Sequence, residues 1–165
     1  PYRDSDRRSL ARSANDWRIA ANLRDGFPHP YTEHHARTYL ERVRAHWPPL
    51  AYAVAADDAV VGGVGILPGE DVHRRTAELG YWLAVPYWGR GIMSRAVREF
   101  STWAFATFDL LRIHASVYHT NPASARVLEN AGFQFEGRLR SSVVKYGRVA
   151  DQWLYARIRR PPRSR

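Results

Sequence analysis

The chain has 165 residues, of which 45% are hydrophobic and 25% charged, so it fits one folded domain over residues 1–165 and is too apolar to be disordered. The absence of cysteine excludes disulfides, thiolate metal sites and catalysis through a cysteine. The net charge of +9 comes almost wholly from arginine and predicts phosphate or RNA partners, although a solvated arginine-rich surface would also account for it.

The first fifty residues predict two helices. Polar residues precede an amphipathic stretch over residues 6–17, and Thr32 is placed to cap a second helix over residues 32–47. Between them, residues 24–31 form a loop that two prolines make rigid and that carries aromatic side chains.

The middle of the chain predicts strands and one long helix. Residues 51–56 and 59–67 read as a hairpin around Asp57-Asp58, and a third strand is expected over residues 76–85. Apolar residues then recur at helical spacing, and after them at the alternating spacing of a strand. The helical set is Met93, Val97, Phe100, Ala104 and Phe108, and the strand set is Ile113, Ala115 and Val117.

The last part predicts a short helix and a closing hairpin. Residues 122–131 begin with proline and are followed by Gly132, as helices prefer. Residues 133–144 and 148–158 are expected to pair around Tyr146-Gly147, and a basic tail follows over 159–165. No segment is long and apolar enough for a membrane span or a secretory signal, so we expect a cytoplasmic protein without a membrane partner.

A glycine turn joins the third strand to the long helix. Gly89 and Gly91 let the backbone approach an anion, and the free N–H groups of the helix start would point at it. A nucleotide-hydrolase P-loop is excluded because Ile92 stands where that motif needs lysine, and Ser94 weakens a dinucleotide fingerprint. A purely steric role for the glycines stays open.

Two runs of sequence carry a family resemblance. Residues 78–92 read ELGYWLAVPYWGRGI, and residues 121–133 read NPASARVLENAGF. The first resembles the acetyl-CoA motif of the GNAT superfamily of N-acetyltransferases, and the second resembles that superfamily's Asn-x-x-Ser/Ala helix ending in Gly-Phe. The resemblance covers nearly the whole chain and is closest to the branch that includes ribosomal-protein alanine N-acetyltransferases (RimJ/RimL-like). A departure is Leu128, which stands where many members carry a tyrosine general acid.

This resemblance implies an α/β (α+β) GNAT fold. Its central sheet is mixed, mostly antiparallel, has six to seven strands, splays at the cofactor cleft and is flanked by about four helices. The implied function is transfer of an acetyl group from acetyl-CoA to a primary amine on a small molecule or a protein N-terminus, without a metal. The alternatives are a silent acyl-CoA-binding domain and an RNA- or ribosome-docking module; weak association with RNA or the ribosome and a homodimer are further expected partners.

The resemblance also implies site residues. Backbone groups would hold the pyrophosphate at Trp88, Gly89, Arg90, Gly91, Ile92 and Met93, and main-chain groups of Leu83 and Val85 would pair with the pantetheine arm. Asn121 would contact the same arm, although capping its helix alone would explain an asparagine there.

The same resemblance implies catalytic residues and residues of the amine-acceptor site. Glu78 is the first choice for the base that takes a proton from the amine, against the alternative of an ordinary ion pair, with His114 and Glu136 as substitutes. By the same resemblance, Ser124 would hydrogen-bond the coenzyme sulfur or relay a proton to it, or would only occupy the first turn of its helix while solvent protonates the thiolate. Phe27 and Tyr31 would form one wall of the acceptor site, or simply anchor their loop to the core.

Overall fold

A computed structural model describes residues 1–159, so the predicted basic tail lies outside the described residues except for Arg159. The described part has five α-helices and six strands. The helices are α1 (Arg7–Ala14), α2 (Trp17–Ala20), α3 (Glu33–Arg44), α4 (Ile92–Thr107) and α5 (Pro122–Asn130). The strands are β1 (Ala51–Ala56), β2 (Ala59–Pro68), β3 (Thr76–Leu83), β4 (Arg112–Tyr118), β5 (Gln134–Lys145) and β6 (Arg148–Ile158).

The six strands form one sheet in the order β1-β2-β3-β4-β6-β5. Every neighbouring pair is antiparallel except β3 and β4, which are parallel. Only Thr76–Glu78 of β3 pairs with β4, opposite residues 112–114, and beyond these the two strands separate. The predicted mixed and mostly antiparallel sheet is confirmed, and its splay lies between β3 and β4.

Helices cover both faces of the sheet. The apolar stripe of α4, including Val97 and Phe100, packs with Leu128 of α5 against one face, as the helical spacing predicted. The N-terminal helices bury Leu10 and Leu40 against the other face near β2. Each large apolar side chain buried in this way stabilises the fold by about 1.5–3 kcal/mol, so the cleft has a rigid frame.

The first predicted helix, over residues 6–17, is wrong in its extent. It ends at Ala14, because the Asn15 side-chain oxygen turns to accept the Tyr31 backbone N–H at 2.9 Å. A new short helix then begins at Trp17, where the carboxylate of Asp16 accepts the Arg18 N–H at 2.9 Å. A contact with a residue far along the chain therefore divides a stretch that is continuous by pattern.

Other boundaries differ by a few residues. The second helix ends at Arg44 rather than at residue 47, and β3 ends at Leu83 rather than at residue 85. Val85 instead begins a short 3-10 turn, Val85–Tyr87, that leads to the glycine turn. Thr32 does cap its helix, accepting a hydrogen bond from the His35 N–H. No helix of the described part is both long and apolar enough to cross a membrane.

Candidate functional site

The glycine turn between β3 and α4 has an unusual backbone conformation. Gly89 and Gly91 have φ of +74° and +72°, in the left-handed region where side chains are strained. A Cβ atom at either position would meet no heavy atom of residues 1–159 within 4 Å. The glycines are therefore required by the path of the backbone, and the space beside them is open.

The same turn presents a row of backbone donors. From Gly89 to Ser94, none of the six amide N–H groups donates to an acceptor within residues 1–159. They lie at the start of the 16-residue helix α4, whose dipole places positive charge there. Open amide donors, free space beside the glycines and a helix dipole together make a site for an anion such as a pyrophosphate.

The cleft between β3 and β4 begins beside this turn. The backbone of β3 from Leu79 to Leu83 has no strand partner on the β4 side. Two nearby carbonyls are already engaged by one residue: the Leu83 oxygen accepts the Trp88 indole N–H at 2.7 Å, and the Val85 oxygen accepts the Trp88 backbone N–H at 3.1 Å. The Val85 N–H has no acceptor in the described chain, so it is a main-chain donor that a ligand could use.

Glu78 and His114 lie opposite each other at the closed end of the cleft. The Glu78 carboxylate forms an ion pair with the guanidinium of Arg24. The His114 Nδ1 atom is buried and has no hydrogen-bond partner among residues 1–159. Burial lowers the pKa of His114, while the charge of Glu78 opposes this shift, so the imidazole is neutral at neutral pH.

Glu136 occupies a different environment from Glu78. Both of its carboxylate oxygens are bound by the guanidinium of Arg112, and these hydrogen bonds lower the pKa of Glu136. Arg112 lies two residues before His114, on the side away from the opening of the cleft. Glu136 is therefore ionised but is held away from the open part of the site.

The start of α5 faces the cleft from the β4 side. The Asn121 side-chain oxygen accepts the Ser124 N–H at 3.2 Å, so Asn121 caps this helix as predicted. The Ser124 hydroxyl lies 2.7 Å from the hydroxyl of Tyr81, a residue of β3. The sequence reasoning did not single out Tyr81, because only the fold brings β3 and α5 together.

The two aromatic residues predicted for the acceptor wall differ in exposure. Tyr31 is only 6% exposed and packs in the N-terminal core, where burial raises its pKa to about 12. The Phe27 ring is half-buried, with its centre 5.0 Å from the Tyr31 ring and 6.0 Å from the Trp82 ring. Trp82 shares a face of β3 with Glu78, so the Phe27 ring packs on the face of the sheet that carries Glu78.

The loop between α2 and α3, residues 21–32, is tied to the rest of the protein at three points that the sequence reasoning did not foresee. The Tyr118 hydroxyl of β4 donates to the Leu23 carbonyl at 3.2 Å. Lys145 of the β5–β6 hairpin donates to the Asp25 carboxylate at 2.7 Å. With the Arg24 ion pair to Glu78, these contacts hold the loop across the face of the sheet that carries Glu78.

Comparisons with known proteins agree with this geometry. Residues 1–134 match the family model described as the acetyltransferase (GNAT) domain. The chain is 34% identical over 107 residues (65% of this chain) to the uncharacterized N-acetyltransferase p20 of Bacillus licheniformis. It is 30% identical over 107 residues (65% of this chain) to the ribosomal-protein-serine acetyltransferase of Escherichia coli (strain K12).

These alignments span 60% and 59% of the two relatives, so the chain matches less than two thirds of the length of each. Its fold matches a structure of RimL, a ribosomal L7/L12 alpha-N-protein acetyltransferase, in complex with coenzyme A. That match has a TM-score of 0.83 at 23% identity and covers 95% of this chain and 90% of the other. A family model that covers most of the chain, and a sheet that opens beside a glycine-lined helix start, place the chain in the GNAT acetyltransferase family.

Proposed function

We propose that the protein transfers the acetyl group of acetyl-CoA to a primary amine. The observation that carries this proposal is the row of six unsatisfied amides from Gly89 to Ser94 beside a cleft whose β3 edge is unpaired. A diphosphate fits the first feature and an extended amide-containing arm fits the second. The RimL structure, which holds coenzyme A, supports the same assignment.

The coenzyme would be held mainly by the main chain. The N–H groups from Gly89 to Ser94 surround the pyrophosphate, whereas the Trp88 N–H, also predicted for this role, already donates to the Val85 carbonyl. The main chain at Leu83 and Val85 lies along the pantetheine arm. Because the carbonyls of Leu83 and Val85 already accept bonds from Trp88, we assign the leading part to the Val85 N–H. Asn121 contacts the arm from the start of α5 while it caps that helix.

Acetyl transfer forms a C–N bond, breaks the thioester C–S bond and leaves the electron pair on sulfur. Glu78 takes the proton from the incoming amine, and its ion pair with Arg24 keeps the carboxylate in place. Ser124 lies at the cleft end of α5, where its hydroxyl faces the departing sulfur. Phe27 contacts the acceptor, and Tyr31 supports Phe27 from the core.

For the acceptor we propose the α-amine of a protein or peptide. The named activity of the E. coli relative, acetylation of a ribosomal protein, supports this choice. The α2–α3 loop also agrees with it, because the loop forms a wall of side chains over the Glu78 face, against which an extended chain end could lie.

Two measurements test the proposal. Calorimetry with acetyl-CoA should detect binding at ligand concentrations well below about 1 mM, and thiol release should be fastest with peptides that have a free N-terminus. A polyamine, an aminoglycoside and the same peptides with blocked N-termini serve as controls. Folded protein that fails to bind acetyl-CoA would exclude the proposed function. Binding without thiol release from any amine would identify an acyl-CoA-binding domain without activity.

A further inference from the structure

A hydrogen-bonded pair of hydroxyls bridges the cleft. Tyr81 belongs to the part of β3 beyond Glu78 that has no β4 partner, and its side chain reaches the first turn of α5. The phenol oxygen lies 2.7 Å from the Ser124 hydroxyl and 3.1 Å from the Ser124 carbonyl oxygen. One serine on the β4 side of the cleft is therefore held by one tyrosine on the β3 side.

The number of hydrogens limits what this pair can do. The Tyr81 phenol has one hydrogen, which can be given either to the Ser124 carbonyl or to the Ser124 hydroxyl oxygen. When the phenol donates to the hydroxyl oxygen, the serine hydrogen is released for another acceptor. When it donates to the carbonyl, the serine hydrogen points back at the phenol.

Two features keep Tyr81 a donor. Burial raises the pKa of Tyr81 above its ordinary value, so the phenol keeps its proton at neutral pH. The N–H bond from Ser124 to Asn121 fixes the backbone that carries the hydroxyl, which keeps the hydroxyl within reach of the phenol. The pair is thus ordered before any ligand binds.

The neighbouring position on α5 cannot serve instead. Leu128 has no hydroxyl, and its side chain is fully buried in the core. Within residues 1–159, Tyr81 is the one side chain that is hydrogen-bonded to the Ser124 hydroxyl. Residue 128 of α5 therefore supplies no hydroxyl. The aromatic hydroxyl beside Ser124 comes instead from Tyr81 of β3.

We infer that Tyr81 is a positioning residue that turns the Ser124 hydroxyl hydrogen toward the coenzyme sulfur. This inference rests on the proposed function, in which Ser124 faces the departing thiolate. As the C–S bond breaks, the electron pair moves to sulfur and the Ser124 hydroxyl donates a hydrogen bond to it. Tyr81 donates its own hydrogen to the serine oxygen, both hydroxyls keep their protons, and the amine proton goes to Glu78.

The test is a double-mutant cycle of Tyr81→Phe and Ser124→Ala. Each single variant should lower kcat about tenfold with KM for acetyl-CoA within about twofold of wild type, because the lost bond forms only as sulfur gains charge. The double variant should be no slower than Ser124→Ala alone. A merely structural tyrosine would instead give losses that multiply, or would raise KM, and either result would overturn the inference.

Tyr155→Phe is the matched control. Tyr155 is also a buried tyrosine of the same core, but its hydroxyl donates to Glu129 at 2.9 Å, and we expect its loss to leave kcat unchanged. If Tyr81→Phe proves unstable by thermal melting, 3-fluorotyrosine at residue 81 keeps the ring and alters only the donor. Here a changed kcat supports the inference, and an unchanged kcat overturns it.

Different results would overturn the proposed function and the role of Tyr81. A wild-type protein that binds acetyl-CoA but releases no thiol would overturn the proposed function and the role of Tyr81 together. An active wild type whose Tyr81→Phe variant has normal kcat would overturn the role of Tyr81 alone.

Discussion

The two walls of the candidate site, the glycine turn with the start of α4 and the α2–α3 loop, use different chemical groups. On the side of β3 and α4, the candidate ligand groups are backbone amides, placed by the left-handed φ of Gly89 and Gly91. On the side of the α2–α3 loop, the structure depends on side chains that meet from distant parts of the chain. A site made of main chain needs a particular backbone path, which local sequence can encode, whereas a site made of side chains needs the whole fold.

The distances along the chain express this contrast. The contacts that hold the loop join residues 54, 95 and 120 positions apart, as Arg24 with Glu78, Leu23 with Tyr118 and Asp25 with Lys145. The glycine turn is complete within a few consecutive residues. We therefore expect changes at the two walls to act separately. Substitutions in the turn should change the affinity for acetyl-CoA, and substitutions at the loop should change the KM for the amine.

The largest expected effect is on the turn. Gly89→Glu places a carboxylate beside the open backbone amides of the glycine turn. There, its repulsion of a phosphate at about 4 Å is worth roughly 4 kcal/mol at an effective dielectric constant of 20. Acetyl-CoA affinity should therefore fall about 1000-fold, as measured by calorimetry. Normal affinity in this variant would show that the turn does not hold the coenzyme.

Gly147→Glu is the matched control for this change. Gly147 has the same φ of +74° and the same open space around its Cβ position, but it lies at the tip of the β5–β6 hairpin. The backbone strain of Gly147→Glu is therefore similar, while the new carboxylate lies away from the glycine turn. Acetyl-CoA affinity should stay near that of wild type, and an equal loss in both variants would indicate a general effect of strain.

The next largest effect is a loss of kcat, which should occur at Glu78 and not at Glu136. Glu78→Gln should lower kcat roughly 100-fold with unchanged acetyl-CoA affinity, because it removes the proposed base and leaves the turn intact. Glu136→Gln should change kcat little, since that carboxylate is held by Arg112 away from the opening. Steady-state thiol release measures both. A larger loss of kcat in Glu136→Gln than in Glu78→Gln would make Glu136 the base and Glu78 the carboxylate without a catalytic role.

A smaller effect is expected at the hairpin contact. Lys145→Met removes the bond to Asp25, an ion pair in which the lysine is only 11% exposed and the aspartate is largely exposed, worth up to about 1 kcal/mol. The KM for the amine should rise by about fivefold or less, and acetyl-CoA affinity should not change. Lys145→Arg keeps the charge and should restore much of the loss. An effect of Lys145→Met on acetyl-CoA affinity would contradict the separation of the two sides.

The smallest effect concerns stability and pH. Burial lowers the pKa of His114 below 6.5 in the folded protein, so the unfolded chain binds more protons and the free energy of unfolding decreases as the pH falls below about 6.5. Between about pH 7 and pH 5, the melting temperature of wild type should decrease more than that of His114→Gln. Parallel melting curves would show that His114 does not titrate in this way.

Much of the fold could be predicted because its signals are local. The apolar spacing of Met93, Val97 and Phe100 defined the long helix, and the Tyr146-Gly147 turn defined the closing hairpin. The glycine turn was recognisable because left-handed φ angles favour glycine. These features depend on residues close together in sequence, where periodicity and backbone preference act.

The features that could not be predicted from the sequence depend on tertiary contacts. The break after Ala14 follows from the bond between Asn15 and Tyr31, and the bridge between Tyr81 and Ser124 follows from the position of α5 beside β3. Nothing in the spacing of these residues indicates that they meet. The ion pair of Arg24 with Glu78 is of the same kind, so the sequence indicated the carboxylate without its partner.

The ion pair of Lys145 has one further chemical consequence. The 165 residues contain a single side-chain amine, that of Lys145, which is only 11% exposed and lies 2.7 Å from the Asp25 carboxylate, so it is shielded from an approaching thioester. Guanidinium groups carry the rest of the positive charge, and they do not react as amines at neutral pH. The amine acetylation that we propose would therefore leave the protein's own side chains unmodified.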